Sequence, residues 1–147
     1  MSGRRIVASS LGAYLGAVAL IAFWPTHLDK PYAGQLDQAL KFLYRHGVPG
    51  WVDYGFIESG ANVLLFIPFG FLLALLLGGR RWWLAMPIGC AGSGCIELGQ
   101  LFFLSGRTAS VGDVVVNTFG AVVGSLLARR CMYLAPRLRT EPQVGSR

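Results

Sequence analysis

Four apolar runs, each close to the length needed to cross a membrane, constrain this chain more than any other feature. They cover residues 6–24, 60–78, 84–104 and 111–128. About 20 mainly apolar helical residues span a hydrocarbon layer of about 30 Å. Backbone groups there must hydrogen-bond within the protein, which favours helices. The pattern predicts an all-α polytopic membrane protein with four transmembrane helices in one domain, residues 1–147.

Composition and charge support this class. Hydrophobic residues make up 54% and charged residues 14%, whereas about a quarter of residues in soluble domains are charged. The net charge is +6, but the basic residues punctuate the apolar runs and do not line one polar face, which argues against nucleic-acid binding. The three cysteines show no Cys-x-x-Cys or Cys/His cluster, so we expect buried thiols, no metal and no cofactor.

The first run and the segment after it have distinct roles. A signal peptide would have a shorter apolar core and a small-residue cleavage site, but FWPTHLDKP follows here, so a retained anchor is favoured. Residues 25–59 are the long polar segment. Within it, residues 35–46 place three leucines on one helical face and three charged residues on another. This predicts a short amphipathic helix in the membrane interface, or alternatively one packed on the ends of the bundle.

Orientation follows from the basic residues. Four spans place nine arginines on one side, and Lys30, Lys41, Arg45 and Arg107 on the other. Basic residues accumulate on the cytoplasmic side. Both termini are therefore predicted in the cytoplasm, with residues 129–147 as a flexible tail and residues 25–59 facing outward.

Polar residues inside the last two runs mark a candidate site. Ionisable groups in membrane segments are costly unless they are paired or line a wet cavity. Ser93, Glu97 and Gln100 share one helical face by their spacing. A second face carries Asp113 and Asn117 and continues through the small residues Gly120 and Gly124. We expect the two polar stripes to face each other, and the glycine pairs 12/16 and 120/124 to allow close helix contacts.

Two interpretations of these residues remain open. One is a satisfied polar network that locks the bundle; the other is an outward-facing site for a ligand with a polar head and a lipid tail. The candidate binding residues are Asn62, Glu97, Gln100, Arg107, Asp113 and Asn117. Glu97 and Asp113 are also candidates for general acid and base. No nucleophile beside a histidine is visible, so binding is favoured over catalysis.

Three segments also carry a resemblance. NVLLFIPFGFLL (62–73), SGCIELGQLFF (93–103) and DVVVNTFGAVVG (113–124), with Arg107 in the intervening turn, resemble the VanZ-like family of bacterial integral membrane proteins. The first 60 residues and the tail carry no matching signature. The resemblance implies an all-helical protein of the bacterial plasma membrane and cell envelope. The named member of that family is linked to resistance to teicoplanin, a lipoglycopeptide.

Three functional hypotheses follow. The favoured one is a non-enzymatic protein that binds an amphiphile, a lipid-linked cell-wall precursor or the lipoglycopeptide itself. The second is a membrane-embedded enzyme on a lipid-linked substrate, with Glu97 and Asp113 as acid and base. The third is a small lipid transporter, for which four spans leave little room unless the chain forms an oligomer. Membrane lipid is the expected partner in each case.

Overall fold

The computed structural model describes residues 3–24, 33–104 and 110–138, and these residues form five α-helices. They are α1 (Gly3–Ala22), α2 (Ala33–Arg45), α3 (Tyr54–Leu77), α4 (Ala85–Phe103) and α5 (Val111–Leu138). A short 3₁₀ segment, Gly79–Leu84, joins α3 to α4. Gly78 precedes it with φ of 76°, a conformation that favours glycine. The prediction of an all-α protein is confirmed.

Three of the described helices are long and apolar enough to cross a membrane. They are Gly3–Ala22, Tyr54–Leu77 and Val111–Leu134. α4 has 19 residues, which is about 29 Å at 1.5 Å per residue. It contains several glycines and the polar side chains of Ser93, Glu97 and Gln100, and it is not among the three helices that qualify. The chain is thus a membrane-type helical protein.

α3 and α5 form the centre of the bundle and run in the same direction. Gly120 lies against the carbonyl oxygen of Val63, and Gly124 against that of Ile67. A methyl group at either glycine would overlap those backbone atoms. Small residues allow such close backbone approach. The predicted close contact at Gly120 and Gly124 is therefore confirmed.

α1 and α4 flank this pair, and α1 packs mainly on α3. Gly12 and Gly16 do not use their small size within the described chain, since no atom would lie within 4 Å of a Cβ at either position. The expected close contact at these two glycines is thus absent from the described chain. Glycine spacing alone does not distinguish a helix face that meets a neighbour from one that faces outward.

Two helix boundaries differ from the sequence-based prediction. α3 begins at Tyr54, because the Asp53 side chain accepts a hydrogen bond from the Phe56 N–H (2.9 Å) and caps the helix before the apolar run starts. α5 continues to Leu138, so the predicted flexible tail does not describe residues 129–138. Arginine is a good helix former, and the change in polarity at Arg129 does not end the helix. Residues 139–147 lie outside the described part.

The cysteines and α2 complete the description. Cys90, Cys95 and Cys131 are exposed, so the expectation of burial is wrong: these thiols lie on outward faces of α4 and α5. The helix predicted at residues 35–46 is confirmed as α2. Among the described residues, α2 packs against none of the other helices. It contacts the turn that follows it, where the Tyr44 hydroxyl donates to the Val52 carbonyl oxygen (2.9 Å).

Candidate functional site

Glu97 connects α4 to the first turn of α5. Its Oε2 atom accepts a hydrogen bond from the backbone N–H of Ser110 at 2.7 Å, and the residue is 7% exposed. A carboxylate at a helix N-terminus is stabilised by the partial positive charge of the unpaired N–H groups. Glu97 therefore has a structural role: it holds α4 against the start of α5.

Ser110 caps α5 from the other side. Its Oγ atom accepts a hydrogen bond from the Asp113 N–H at 3.2 Å. A serine followed three residues later by an acidic residue is the signature of a capping box, in which that acidic side chain returns to the serine N–H. Here Glu97 already accepts from this N–H. The half-buried Asp113 carboxylate makes no hydrogen bond or ion pair with a described residue, so its acceptor capacity is available.

Asn117 and Ser93 join α5 to α4 one turn deeper in the bundle. The Asn117 Nδ2 group donates to the Ser93 Oγ atom at 2.8 Å. Asn117 is 5% exposed and Ser93 0%. The Oδ1 atom of Asn117 is buried and has no hydrogen-bond partner among the described atoms. Buried amide oxygens are normally paired, so this atom is a second unused acceptor near Asp113.

The structure thus brings together three of the six predicted binding residues. With their serine partners they form the polar cluster, defined as Ser93, Glu97, Ser110, Asp113 and Asn117. The predicted facing of the two polar stripes is confirmed for Ser93, Glu97 and Asn117. Gln100 points elsewhere: its Nε2 group donates to the Ala22 carbonyl oxygen at the end of α1 (2.8 Å).

The remaining two predicted binding residues are Asn62 and Arg107. Asn62 is half-buried on α3 and has no hydrogen bond that joins it to the polar cluster. Arg107, the predicted cation of the site, lies outside the described residues. No group of three or more His, Cys, Asp or Glu residues within the described ranges could hold a metal ion.

An apolar cleft of 220 Å³ lies on the neighbouring side of α4. It is bounded by α1, α3 and α4, and the Tyr14 hydroxyl crosses from α1 to donate to the Leu65 carbonyl oxygen. The cleft is lined by Tyr14, Leu15, Val18, Ala19, Leu65, Phe66, Phe69, Gly92 and Ile96. Gly92 and Ile96 each precede a member of the polar cluster, Ser93 and Glu97. Consecutive helical residues point about 100° apart, so α4 presents the cleft and the cluster on adjacent faces.

Asn62 relates to this cleft through its position on α3. It lies three, four and seven residues before Leu65, Phe66 and Phe69, all of which line the cleft. These spacings place the four residues on one helical face. Asn62 therefore stands one turn above the cleft, at the end of the bundle where the polar cluster lies.

Ser110 is the site residue that the sequence interpretation missed. The signal was present as S-x-x-D before an apolar run, a capping pattern with a known mechanism. Ser93 had been placed on the polar face of α4 but not among the binding residues. Its hydroxyl is the only partner that the structure gives to the Asn117 amide within the described chain.

The chain matches a known protein family. A family model described as VanZ/LLP1 matches residues 11–133. The match extends well beyond residues 62–124, where the sequence resemblance was found, and includes α2 and most of α1. No curated protein and no solved structure matches the chain.

Proposed function

The chain belongs to the VanZ/LLP1 family, and we propose that it is a multi-pass protein of the bacterial plasma membrane that binds an amphiphile. The favoured amphiphile is a lipid-linked cell-wall precursor. Its head group would contact the polar cluster, and its hydrocarbon chain would occupy the cleft between α1, α3 and α4. This is a binding function in the cell envelope and requires no cofactor.

The proposed topology counts α4 as a membrane-spanning helix, in addition to the three helices that qualify by length and apolarity. The arginine-bearing start of α1 and the 3₁₀ segment then lie in the cytoplasm, following the preference of basic residues for that side. Both termini are cytoplasmic, the polar cluster is outward, and α2 lies in the outer interface.

Cys131 allows a test of this topology. It is exposed and lies in α5 next to Arg130, so we expect a membrane-impermeant maleimide to label it only after permeabilisation of the cells. Cys90 and Cys95 lie within the span and should stay unlabelled in both conditions. Changing both to serine removes any ambiguity in the signal. Labelling of Cys131 in intact cells would reverse the topology.

One observation carries the binding proposal: the polar cluster, which holds acceptor atoms on α5 that pair with no described donor, meets the face of α4 adjacent to the apolar cleft. Asp113 and the Asn117 Oδ1 atom supply acceptors, which suit a head group with hydroxyl, amide or ammonium donors. The cleft supplies an apolar wall. Ligand sites typically combine such an apolar lining with a few polar groups that fix orientation.

Asp113→Asn tests the head-group contact, because the change is nearly isosteric, removes the charge and replaces one acceptor oxygen by an NH2 donor. We expect binding of a purified lipid-linked precursor to weaken about tenfold, as for the loss of a charge-assisted hydrogen bond. The measurement is native mass spectrometry or a fluorescence titration in detergent.

Glu58→Gln is the matched control, since Glu58 is an exposed acid near the same end of the bundle, on α3. We expect this variant to bind like the unaltered protein, and both variants to unfold at the same temperature as the parent. Equal binding by both variants would show that Asp113 does not contact the ligand.

The geometry favours binding over acid–base chemistry. Glu97 is occupied by the Ser110 N–H, and the Ser93 and Ser110 hydroxyls both take part in hydrogen bonds that join or cap helices. Asp113 is the acidic group that keeps the enzymatic alternative open. Turnover of the precursor in the same assay, lost in Asp113→Asn, would establish that alternative.

The link to teicoplanin belongs to the same proposal. A lipoglycopeptide carries a polar head and a lipid tail, so it offers the chemistry that the cluster and cleft would accept. We propose it as a second ligand class for this site. Expression of the protein should then raise the teicoplanin concentration that inhibits growth, and Asp113→Asn should lower it again.

A further inference from the structure

The end of the bundle opposite the polar cluster carries a second, chemically different site. A cavity of 430 Å³ there is lined by Gly79, Arg80, Trp82, Arg129, Met132 and Tyr133. Two arginines and two aromatic rings thus border one recess between the 3₁₀ segment and α5. The Met132 side chain would lie 3.2 Å from a Cβ at Gly79, so the 3₁₀ segment and α5 are in close contact at the recess.

Arg129 lies beside the Trp82 ring. Its guanidinium lies 5.4 Å from the centroid of the Trp82 ring, within the range of a cation–π interaction. A cation–π contact uses no N–H donor in a conventional hydrogen bond, so the guanidinium N–H groups remain able to donate. A guanidinium suits planar, bidentate recognition of a phosphate.

Within the part of the chain that the structure describes, the positive charge at this end has no acidic counterpart. Asp and Glu are absent from residues 1–28, 59–96 and 114–140. Within the described ranges, the ion pair found is Lys41–Asp37 in α2, and none joins Arg80, Arg81, Arg129 or Arg130 to an acid. These guanidinium groups are therefore not paired with an acid of the described chain, and an anion from outside it can bind them.

The recess continues toward the apolar part of α5. A second cleft of 260 Å³, lined by Leu126, Arg129, Arg130 and Tyr133, shares Arg129 and Tyr133 with the first. Leu126 lies about one turn from Arg129 toward the middle of the span. The path thus runs from a cationic recess to an apolar helix surface, which matches a ligand whose anionic head is joined to hydrocarbon.

We propose that this recess binds the phosphate of an anionic phospholipid of the surrounding membrane, with Arg80 and Arg129 as the phosphate ligands. Basic pockets between helices on the cytoplasmic side of a membrane are suited to such head groups. The site is separate from the polar cluster and does not depend on the amphiphile function. A free phosphate lacks the hydrocarbon that the Leu126 side of the recess would contact.

The test uses the full-length protein in phosphatidylcholine nanodiscs with increasing phosphatidylglycerol. Retained lipid is counted by native mass spectrometry. We expect selective retention of phosphatidylglycerol, weakened about fivefold by Arg129→Gln and similarly by Arg80→Gln, the effect of one basic residue at a membrane surface. Arg45→Gln in α2 is the control and should change nothing, since Arg45 lies near the other end of the bundle.

Two further arms separate the alternatives. Arg129→Lys keeps the charge but loses the planar guanidinium, so an intermediate loss of retention supports a built site. A full return to parental retention would reduce the effect to charge alone and overturn the proposal. Sodium phosphate should not displace the lipid; displacement would assign the recess to free phosphate. The proposal would also be overturned if the parent protein retained both lipids equally and had the same thermal stability at every phosphatidylglycerol content.

Discussion

The two sides of α3 differ in how tightly they pack. On one side, α5 approaches so closely that its glycines touch the α3 backbone. On the other side, α1 leaves a cleft of 220 Å³ between itself, α3 and α4. The first contact has no room for an added methyl group, whereas the second has room for part of a hydrocarbon chain.

The difference separates stability from ligand binding. Close-packed contacts change little without cost, so the α3–α5 pair acts as a fixed frame for the chain. On the cleft side, fewer contacts join α1 to α3 and α4. Among them are the Tyr14–Leu65 and Gln100–Ala22 hydrogen bonds. Substitutions at the frame should therefore affect folding, and substitutions at the cleft should affect binding.

Gly124→Ala gives the largest expected effect on the frame. A Cβ there would overlap the Ile67 carbonyl group, so α3 and α5 must separate, at a cost of about 1–3 kcal/mol in the free energy of unfolding. Denaturant titration in detergent measures this change.

Gly12→Ala is the matched control, because nothing lies within 4 Å of a Cβ at that position. Alanine is the better helix former, so a gain of up to about 1 kcal/mol is expected. Changes of the same sign and size in both variants would mean that the two sides of the bundle do not differ as described.

Asn117→Ala has a smaller expected effect. It removes the hydrogen bond between α5 and α4 and leaves the buried Ser93 hydroxyl unpaired. Hydrogen bonds between membrane helices contribute about 0.6 kcal/mol on average, so a loss of about 1 kcal/mol is expected with the unpaired group included.

Thr118→Val is the comparison for this variant, since the one described partner of the Thr118 hydroxyl is the Val114 carbonyl oxygen of its own helix. We expect its free energy of unfolding to stay within about 0.5 kcal/mol of the parent. An equal loss in both variants would show that the Asn117–Ser93 bond does not join the two helices energetically.

The frame was the part of the fold most accessible from sequence. The lengths of the apolar runs and the spacing of Gly120 and Gly124 follow directly from helical periodicity. The same logic placed Ser93 and Glu97 opposite Asn117. The prediction for α4 and α5 succeeded because these helices are consecutive and joined by a short turn.

Other features depend on distant parts of the chain or on helix ends. Gln100 bonds a carbonyl oxygen of α1, which periodicity within α4 does not reveal. The continuation of α5 past Arg129 and the early start of α3 at Tyr54 depend on capping and on packing of the 3₁₀ segment. The cleft also depends on how α1 packs against α3 and α4, which no local pattern encodes.

The central claim is that the cleft holds the hydrocarbon chain of an amphiphile, and photo-crosslinking tests it most directly. The probe is a lipid-linked precursor with a diazirine in its hydrocarbon chain, and the adducts are mapped by peptide mass spectrometry. We predict adducts at cleft residues such as Leu15 and Ile96. These adducts should be lost in Gly92→Leu, because the leucine side chain fills the cleft. They should be kept in the control variant Gly94→Leu, on the same helix. Adducts spread evenly over outward residues such as Leu98 and Phe102, unchanged by Gly92→Leu, would contradict the claim.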